Sequence, residues 1–183
     1  YPVAQKLPAI FSVTPRNDRF YVHTNLDAPR YRLYAIDSSL PADQWSDRKR
    51  WTEVLPQGED KLEGFAAIGP YIVAEYLHHA TNRLKLHDRD GKEIEDIKLP
   101  TLGTIAGMGG EWDGNELFFS FQSFAVAPSI YRLDLKTRKQ ALWGRVTTDI
   151  KPDDYIVEQV RYTSRDGAIV PMFLTYKKGI KKD

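Results

Sequence analysis

The sequence predicts an all-β fold, namely a partial β-propeller of about three four-stranded antiparallel blades. Composition is the first observation that favours it. The 183 residues include 10 Tyr, 8 Phe and 4 Trp, together with 12 Gly and 11 Pro. Aromatic side chains suit half-buried pleated strands, while Gly and Pro mark turns. The second observation is an internal repeat whose period lies near the ~40–50 residues of propeller blades.

Three 18-residue segments carry the repeat. Each contains a strand, a polar or Ala/Pro-containing connection, a second strand with an Arg-Leu pair, and a terminal Asp. The copies start 51 and then 46 residues apart. They are FYVHTNLDAPRYRLYAID (Phe20–Asp37), YIVAEYLHHATNRLKLHD (Tyr71–Asp88) and LFFSFQSFAVAPSIYRLD (Leu117–Asp134).

The flanks of each copy complete four strands per blade. Turns are indicated at Asn17-Asp18, Asp90-Gly91 and Asp113-Gly114-Asn115, because Gly readily takes the positive φ that tight hairpins need. Four antiparallel strands repeated around an axis define a propeller, with a β-sandwich as the competing interpretation. The predicted strands are 10–15, 19–24, 31–36 and 51–55, then 62–68, 71–77, 83–87 and 94–99, then 103–108, 116–121, 130–133 and 140–143.

The remaining sequence of this region offers no long helix. Pro41–Lys49, inside a long connection of the first blade, is the best helix candidate. The predicted blades occupy about 8–56, 62–99 and 103–145. Closed propellers have four to eight blades, and three blades leave two exposed sheet edges. No segment has the pattern of a cap, so we expect the chain to be part of a larger protein.

The residue pattern of the sequence changes after Trp143. Residues 147–155, TTDIKPDDY, are polar and contain Pro152 and the paired acids Asp153 and Asp154, which is typical of a linker. Two strands, 156–164 and 168–176, then flank Arg165-Asp166-Gly167 as a predicted hairpin. We interpret this hairpin as the start of a second domain.

Composition excludes several classes of protein. Lys and Arg number 26 against 25 Asp and Glu, a net charge of +1, so no overall field favours nucleic acid or an anionic membrane. No apolar run approaches the ~20 residues that span a bilayer. Cys is absent, which excludes disulfides, thiolate metal sites and Cys nucleophiles.

Catalytic and metal-binding motifs are missing as well. None of the eight serines has a glycine two residues before it, so the G-x-S-x-G elbow of α/β-hydrolases is absent. His78 and His79 are adjacent, and on a strand they would point to opposite faces rather than share a ligand. Asp88–Gly91 lacks the later ligands of a calcium loop. We predict no metal and no cofactor.

Several stretches resemble the prolyl oligopeptidases, a family of propeller-gated serine peptidases. They are TNLDAPRYRLYAID, the run from Leu62 to Leu135, and DDYIVEQVRYTSRDGAIVPMFLTYKKG from Asp153 to Gly179. The last is the most specific, because it is similar to the segment by which the family leaves the propeller and enters the catalytic domain. The resemblance covers essentially the whole chain.

The resemblance implies a seven-bladed propeller inserted into an α/β-hydrolase, a peptidase S9 architecture. Residues 1–146 would be the last three blades, 147–159 a hinge, and 160–183 the start of the hydrolase domain. The hinge candidates are Asp153, Asp154, Tyr155 and Glu158. The family's Ser-Asp-His triad would follow Asp183, so no catalytic residue is assigned within the chain, and no substrate-binding residue either.

The activity that the resemblance implies is hydrolysis of short peptides after proline. A Ser nucleophile, a His base and backbone N–H groups around the oxyanion would carry it. The propeller would exclude large substrates, with strands 62–68 and 103–108 lining its channel. The implied partners are short proline-containing peptides and the remaining blades and catalytic domain, not nucleic acid or a membrane. The cytoplasm and a bacterial periplasm both fit.

Three alternatives stay open. An oligopeptidase that cuts after basic residues would share this architecture. A stand-alone propeller module that binds a partner or forms a scaffold would fold without further chain and associate through its blade edges. A reassembled product of proteolysis is the third alternative.

Overall fold

The structure, a computed structural model, describes residues 7–16 and 18–181 and contains fourteen β-strands there. No α-helix occurs in these ranges, whose helical residues form three short 3-10 turns at Ala42–Gln44, Arg48–Arg50 and Pro152–Asp154. The all-β prediction is therefore confirmed. The predicted turn at Asn17-Asp18 includes Asn17, which lies outside the described residues. No described helical segment is long and apolar enough to cross a membrane.

The strands form three four-stranded antiparallel sheets, here called blades, and one hairpin. Within each blade the strands pair in sequence order, so each blade is a meander. Blade 1 contains β1 (Phe11–Arg16), β2 (Arg19–Thr24), β3 (Arg32–Asp37) and β4 (Thr52–Leu55); blade 2 contains β5 (Lys61–Ile68), β6 (Tyr71–His78), β7 (Thr81–Asp88) and β8 (Glu93–Ile97); blade 3 contains β9 (Thr104–Gly109), β10 (Glu116–Gln122), β11 (Ser129–Asp134) and β12 (Gln140–Arg145); the hairpin contains β13 (Tyr155–Thr163) and β14 (Ile169–Lys177).

The predicted strands all occur, with ends that differ by a few residues. Strand β3 begins one residue later than predicted because Tyr31 has φ 63°, a left-handed conformation that cannot continue a strand. The segment Pro41–Lys49 does not form a regular helix. It contains one 3-10 turn and the start of a second, in which the Asp47 carboxylate accepts a hydrogen bond from the Lys49 N–H.

Blades 2 and 3 pack face to face over the largest apolar core. In β10, alternate residues Leu117, Phe119 and Phe121 are buried against blade 2. This is the period-2 pattern of a strand with one face in a core. From blade 2, Leu84 and Leu86 of β7 complete the cluster. The inner strands β5 and β9 also approach each other, as neighbouring blades do at a propeller axis.

Blades 1 and 2 share a second core, and polar contacts reinforce their seam. Tyr21 and Leu33 of blade 1 pack against Ile72 of blade 2. At one end of the seam the Leu62 N–H donates to the Arg30 carbonyl at 2.9 Å. At the other end Arg89 forms an ion pair with Asp18.

The outer face of blade 1 is covered by its own β3–β4 connection, residues 38–51. Trp45 packs edge-on against Phe20, with ring centres 4.7 Å apart, and Trp51 contacts Tyr34 at 5.6 Å. The Trp51 indole N–H donates to the Trp45 carbonyl, which fixes the connection in place. Two Trp side chains thus turn a polar connection into an apolar cover for this face.

Asn82, at the start of β7, bridges blades 2 and 3. Its N–H donates to the Gly103 carbonyl at 3.0 Å, and its side-chain oxygen accepts from the Ile105 N–H at 2.9 Å. The side-chain amide N–H donates to Glu75 on β6 at 2.8 Å. One buried side chain thereby satisfies backbone and carboxylate groups on both sides of the seam.

Glu75 is a half-buried acid beside this bridge. Burial, and secondarily the charge of Glu63, raises the pKa of Glu75 from 4.5 to about 7. Between pH 4.5 and about 7, Glu75 therefore keeps its proton in the native state, whereas the unfolded chain has released it. The stabilisation that this proton provides is fully present below pH 4.5 and is lost as the pH rises towards 7.

We expect Glu75→Gln to remove this pH dependence. Gln keeps the acceptor for Asn82 but carries no charge, so the free energy of unfolding at pH 8 should rise by about 1–2 kcal/mol, a value reduced for solvent screening of a half-exposed group. At pH 4.5 the variant and the wild type should be nearly equal. Urea unfolding at several pH values measures the difference.

Glu93→Gln is the matched control, for which the change in the free energy of unfolding at pH 8 should have the opposite sign. Its hydrogen bond with Lys85 lowers the pKa of Glu93, so this variant should lose stability at pH 8 and recover relative to wild type at low pH. If Glu75→Gln instead followed the wild-type pH profile, Glu75 would not be the source of the dependence.

Candidate hinge and interdomain cleft

The segment between blade 3 and the hairpin is held by few contacts. Blade 3 ends where the Val146 N–H donates to the Pro128 carbonyl. From there to residue 153, the hydrogen bonds among described residues are local: the Ile150 N–H donates to the Thr148 hydroxyl at 3.2 Å, and Lys151 accepts from the Asp154 N–H. A segment with only local bonds can change its φ and ψ angles at low cost.

The predicted hinge acids lie in the 3-10 turn Pro152–Asp154. Pro152 occupies the first turn, where its missing N–H is not needed. Asp153 and Asp154 are both exposed, and neither forms an ion pair with a described residue. Asp154 acts through its backbone, since its carbonyl accepts from the Lys178 N–H at 2.8 Å. The turn therefore closes the open end of the hairpin.

Strand β13 begins at Tyr155, opposite Lys177 of β14. Strand pairing thus extends five residues into the segment 147–159 that the sequence predicted as hinge. The cause is the run Tyr155, Ile156 and Val157, whose aromatic and β-branched side chains favour strands. Glu158 is half-buried and pairs with Leu174 in the middle of the ladder. The part of the predicted hinge that lies outside strand pairing is therefore the stretch 147–154.

A cleft of about 960 Å³ separates blade 3 from the linker and the hairpin. Three of the four predicted hinge residues line it, namely Asp153, Asp154 and Tyr155, whereas Glu158 does not. Blade 3 contributes Tyr131 and Arg145. Burial raises the pKa of Tyr131, and the nearby Arg145 opposes this shift. The Tyr131 phenol is therefore neutral at physiological pH.

The sequence did not predict how the hairpin contacts the propeller. The side-chain amide of Gln159 donates to the His79 carbonyl in the β6–β7 turn of blade 2. Phe173 of β14 contacts Phe124 of blade 3, with ring centres 5.6 Å apart. No residue of β13 or β14 is buried. The hairpin is therefore attached to the blades by surface contacts and not by a core, and we call this attachment the joint.

The described residues contain no cluster of three His, Cys, Asp or Glu side chains that could hold a metal ion. What they provide is a set of packed blades, a linker with local hydrogen bonds only, and the cleft beside this linker.

Three meandering four-stranded blades, packed face to face, define the class of this protein as a β-propeller. The profile of the prolyl oligopeptidase N-terminal β-propeller domain matches residues 3–146. The chain belongs to the prolyl oligopeptidase family, peptidase S9, and the resemblance inferred from the sequence is confirmed.

Individual relatives agree with this assignment. The prolyl endopeptidase of Elizabethkingia meningoseptica is 34% identical over 166 residues, covering 91% of this chain and 23% of the relative. A prolyl endopeptidase structure from a study of inter-domain dynamics is 33% identical with a TM-score of 0.82, covering 98% of this chain and 26% of that one. Prolyl oligopeptidase B of Galerina marginata, 23% identical with a TM-score of 0.82, supports the fold alone. The chain spans about a quarter of these relatives.

Proposed function

We propose that this chain is the propeller and hinge region of a serine endopeptidase that hydrolyses short peptides after proline. The observation that carries the proposal is the joint described above. There, three blades of this family are followed by a linker with local hydrogen bonds only, and the linker leads into a hairpin. The prolyl endopeptidases that it resembles are about four times as long. The catalytic triad would come from the remaining chain, and the 183 residues alone would be inactive.

The propeller would act as a size-selective gate. Its innermost strands β5 and β9 lie side by side, and a ring of such strands encloses a channel in a closed propeller. Gly64 lies in β5 of blade 2, which has a described blade on each side, and a Cβ added there would meet no atom within 4 Å, so this position faces open space. A channel of fixed width admits an extended peptide and excludes a folded one.

The missing blades would pack on the open face of blade 3. Phe118 and Trp143 stack edge-on there, 5.4 Å apart, and Trp143 is 64% exposed. Ile130 lies on the same face and is 45% exposed. An apolar face of this kind is covered by the next blade in a propeller. These contacts would make the rest of the same protein the main partner of this chain.

Steady-state kinetics of the full-length protein with Gly64→Trp tests the gate. The added indole would narrow the channel, so we expect kcat/KM for a peptide of about 30 residues to fall at least tenfold. The same parameter for a tetrapeptide with one proline should change less than about twofold. Gly58→Trp, in the β4–β5 loop where an added Cβ also meets nothing within 4 Å, is the control.

Equal losses for both peptides would contradict the gate. The same assay separates the remaining alternatives. Cleavage after Lys or Arg instead of Pro would identify an oligopeptidase for basic sites, and no cleavage of any peptide would favour a binding module. The isolated 183-residue chain should hydrolyse none of the peptides.

A further inference from the structure

The β6–β7 turn, on which the hairpin rests, has an uncommon backbone. Its two central residues, His79 and Ala80, have φ of 46° and 65°. A two-residue turn with positive φ at both positions normally carries Asn-Gly, because other side chains are strained there. The strained turn presents the His79 carbonyl to the Gln159 side chain of β13. This hydrogen bond connects the hairpin directly to blade 2.

The turn is also surrounded by cationic groups. Arg83 of β7 and Arg161 of β13 both lie close enough to His79 for their charges to act on it, as does His78. The rings of His78 and His79 are 4.3 Å apart. One carboxylate, Asp60 from the β4–β5 loop, is the only acid among the groups that act on His79.

Asp60 is already engaged by two other groups. One oxygen lies 2.7 Å from His78 Nδ1, and the other lies 3.9 Å from Arg83. Both oxygens of Asp60 are therefore occupied by these partners. A charge that appears on His79 faces Arg161 and Arg83 without a free counter-ion. Partial desolvation, and then the charges of Arg161 and His78, accordingly lower the pKa of His79 below 6.5.

We propose that the β6–β7 turn is an acid-sensitive docking site for the hairpin, which holds β13 at neutral pH and releases it when His79 becomes charged. Release follows from repulsion between His79 and Arg161, which sit on opposite sides of the contact. No buried core opposes it, because no residue of β13 or β14 is fully buried.

This acid-sensitive docking would regulate the joint. Its role in a peptidase rests on the function proposed above. If the hairpin begins the catalytic domain, acidification would widen the cleft beside Asp153 and Asp154 and open the path to the active site. The rest of the hinge needs no charge change, since its local bonds already allow movement.

Distance measurement between two spin labels tests the proposal on this chain itself. The chain has no Cys, so K92C and R165C give labels at two exposed positions, one on blade 2 and one at the tip of the hairpin. At pH 8 we expect one narrow distance distribution. At pH 5 a second, longer and broader population should appear and account for at least about half of the molecules.

Three variants make the test specific. His79→Asn tolerates positive φ and keeps the carbonyl but cannot be charged, so it should stay docked at both pH values. Arg161→Gln removes the facing cation and should also stay docked at pH 5. Gln159→Ala removes the hydrogen bond and should be undocked at both. Tryptophan fluorescence verifies that the blades stay folded.

A wild-type distribution that is the same at pH 8 and pH 5 would overturn the proposal. So would a His79→Asn variant that shifts as the wild type does. Because this experiment contains no substrate, its failure would leave the gate untouched, and the kinetics of Gly64→Trp would decide the gate separately.

Discussion

Phe119→Ala should lower the free energy of unfolding by about 3–5 kcal/mol, the loss expected for a large side chain in a well-packed core. Phe119 is 1% exposed and lies in the core between blades 2 and 3. Its ring stacks on Tyr131 at 5.4 Å with an angle of 17° between the planes. The neighbouring blade cannot move in to fill the cavity, because Asn82 fixes the distance between the two blades.

Urea unfolding followed by tryptophan fluorescence measures this loss, and Phe118→Ala is the control. Phe118 is the preceding residue of the same strand but points to the open face, where it is only partly buried. Its removal should change the free energy of unfolding by less than about 1.5 kcal/mol. Equal losses in the two variants would contradict the assignment of the two faces of blade 3.

Gly91→Ala should be the second most damaging of the proposed substitutions, with an expected loss of about 2–4 kcal/mol. Gly91 lies in the β7–β8 turn with φ 91°, and a Cβ there would sit 1.8 Å from the Val54 carbonyl oxygen of blade 1. An Ala at this position would therefore have a strained backbone, and its Cβ would collide with the Val54 carbonyl. A backbone carbonyl cannot rotate away as a side chain can. The seam between blades 1 and 2 would have to open.

Gly167→Ala separates the backbone strain from the steric collision. Gly167 has φ 85°, but a Cβ there would meet nothing within 4 Å. This variant should lose only the strain contribution, about 1 kcal/mol. Thermal and urea unfolding of both variants give the comparison. If Gly91→Ala were no more damaging than Gly167→Ala, the close approach of the β7–β8 turn to Val54 would be disproved.

The blades were predictable from the sequence because their signals are local. The repeat, the alternation in Glu116–Gln122 and the Asp90-Gly91 turn all depend on residues close together in the chain. These signals place each strand within a few residues and identify its neighbours, since consecutive strands of a meander pair with each other.

The contacts between blades and across the joint were not predictable in the same way. Trp45 stands in a polar segment, and only the folded connection shows that it covers the outer face of blade 1. Gln159 and His79 are 80 residues apart, and neither position is marked by a motif. The predicted hinge acids also show why such contacts leave no signal in the sequence. Asp154 acts through its backbone carbonyl, which any residue could supply.

The central claim, that these blades belong to a gated peptidase, is tested most directly by sequencing the source gene on both sides of this stretch. The account predicts four further blades upstream and a continuous reading frame downstream. That frame should encode a glycine-rich segment, then G-x-S-x-G, then the Asp and the His of a triad, in this order. An in-frame stop codon immediately after the codon for Asp183 would contradict the account and leave a propeller-derived binding module.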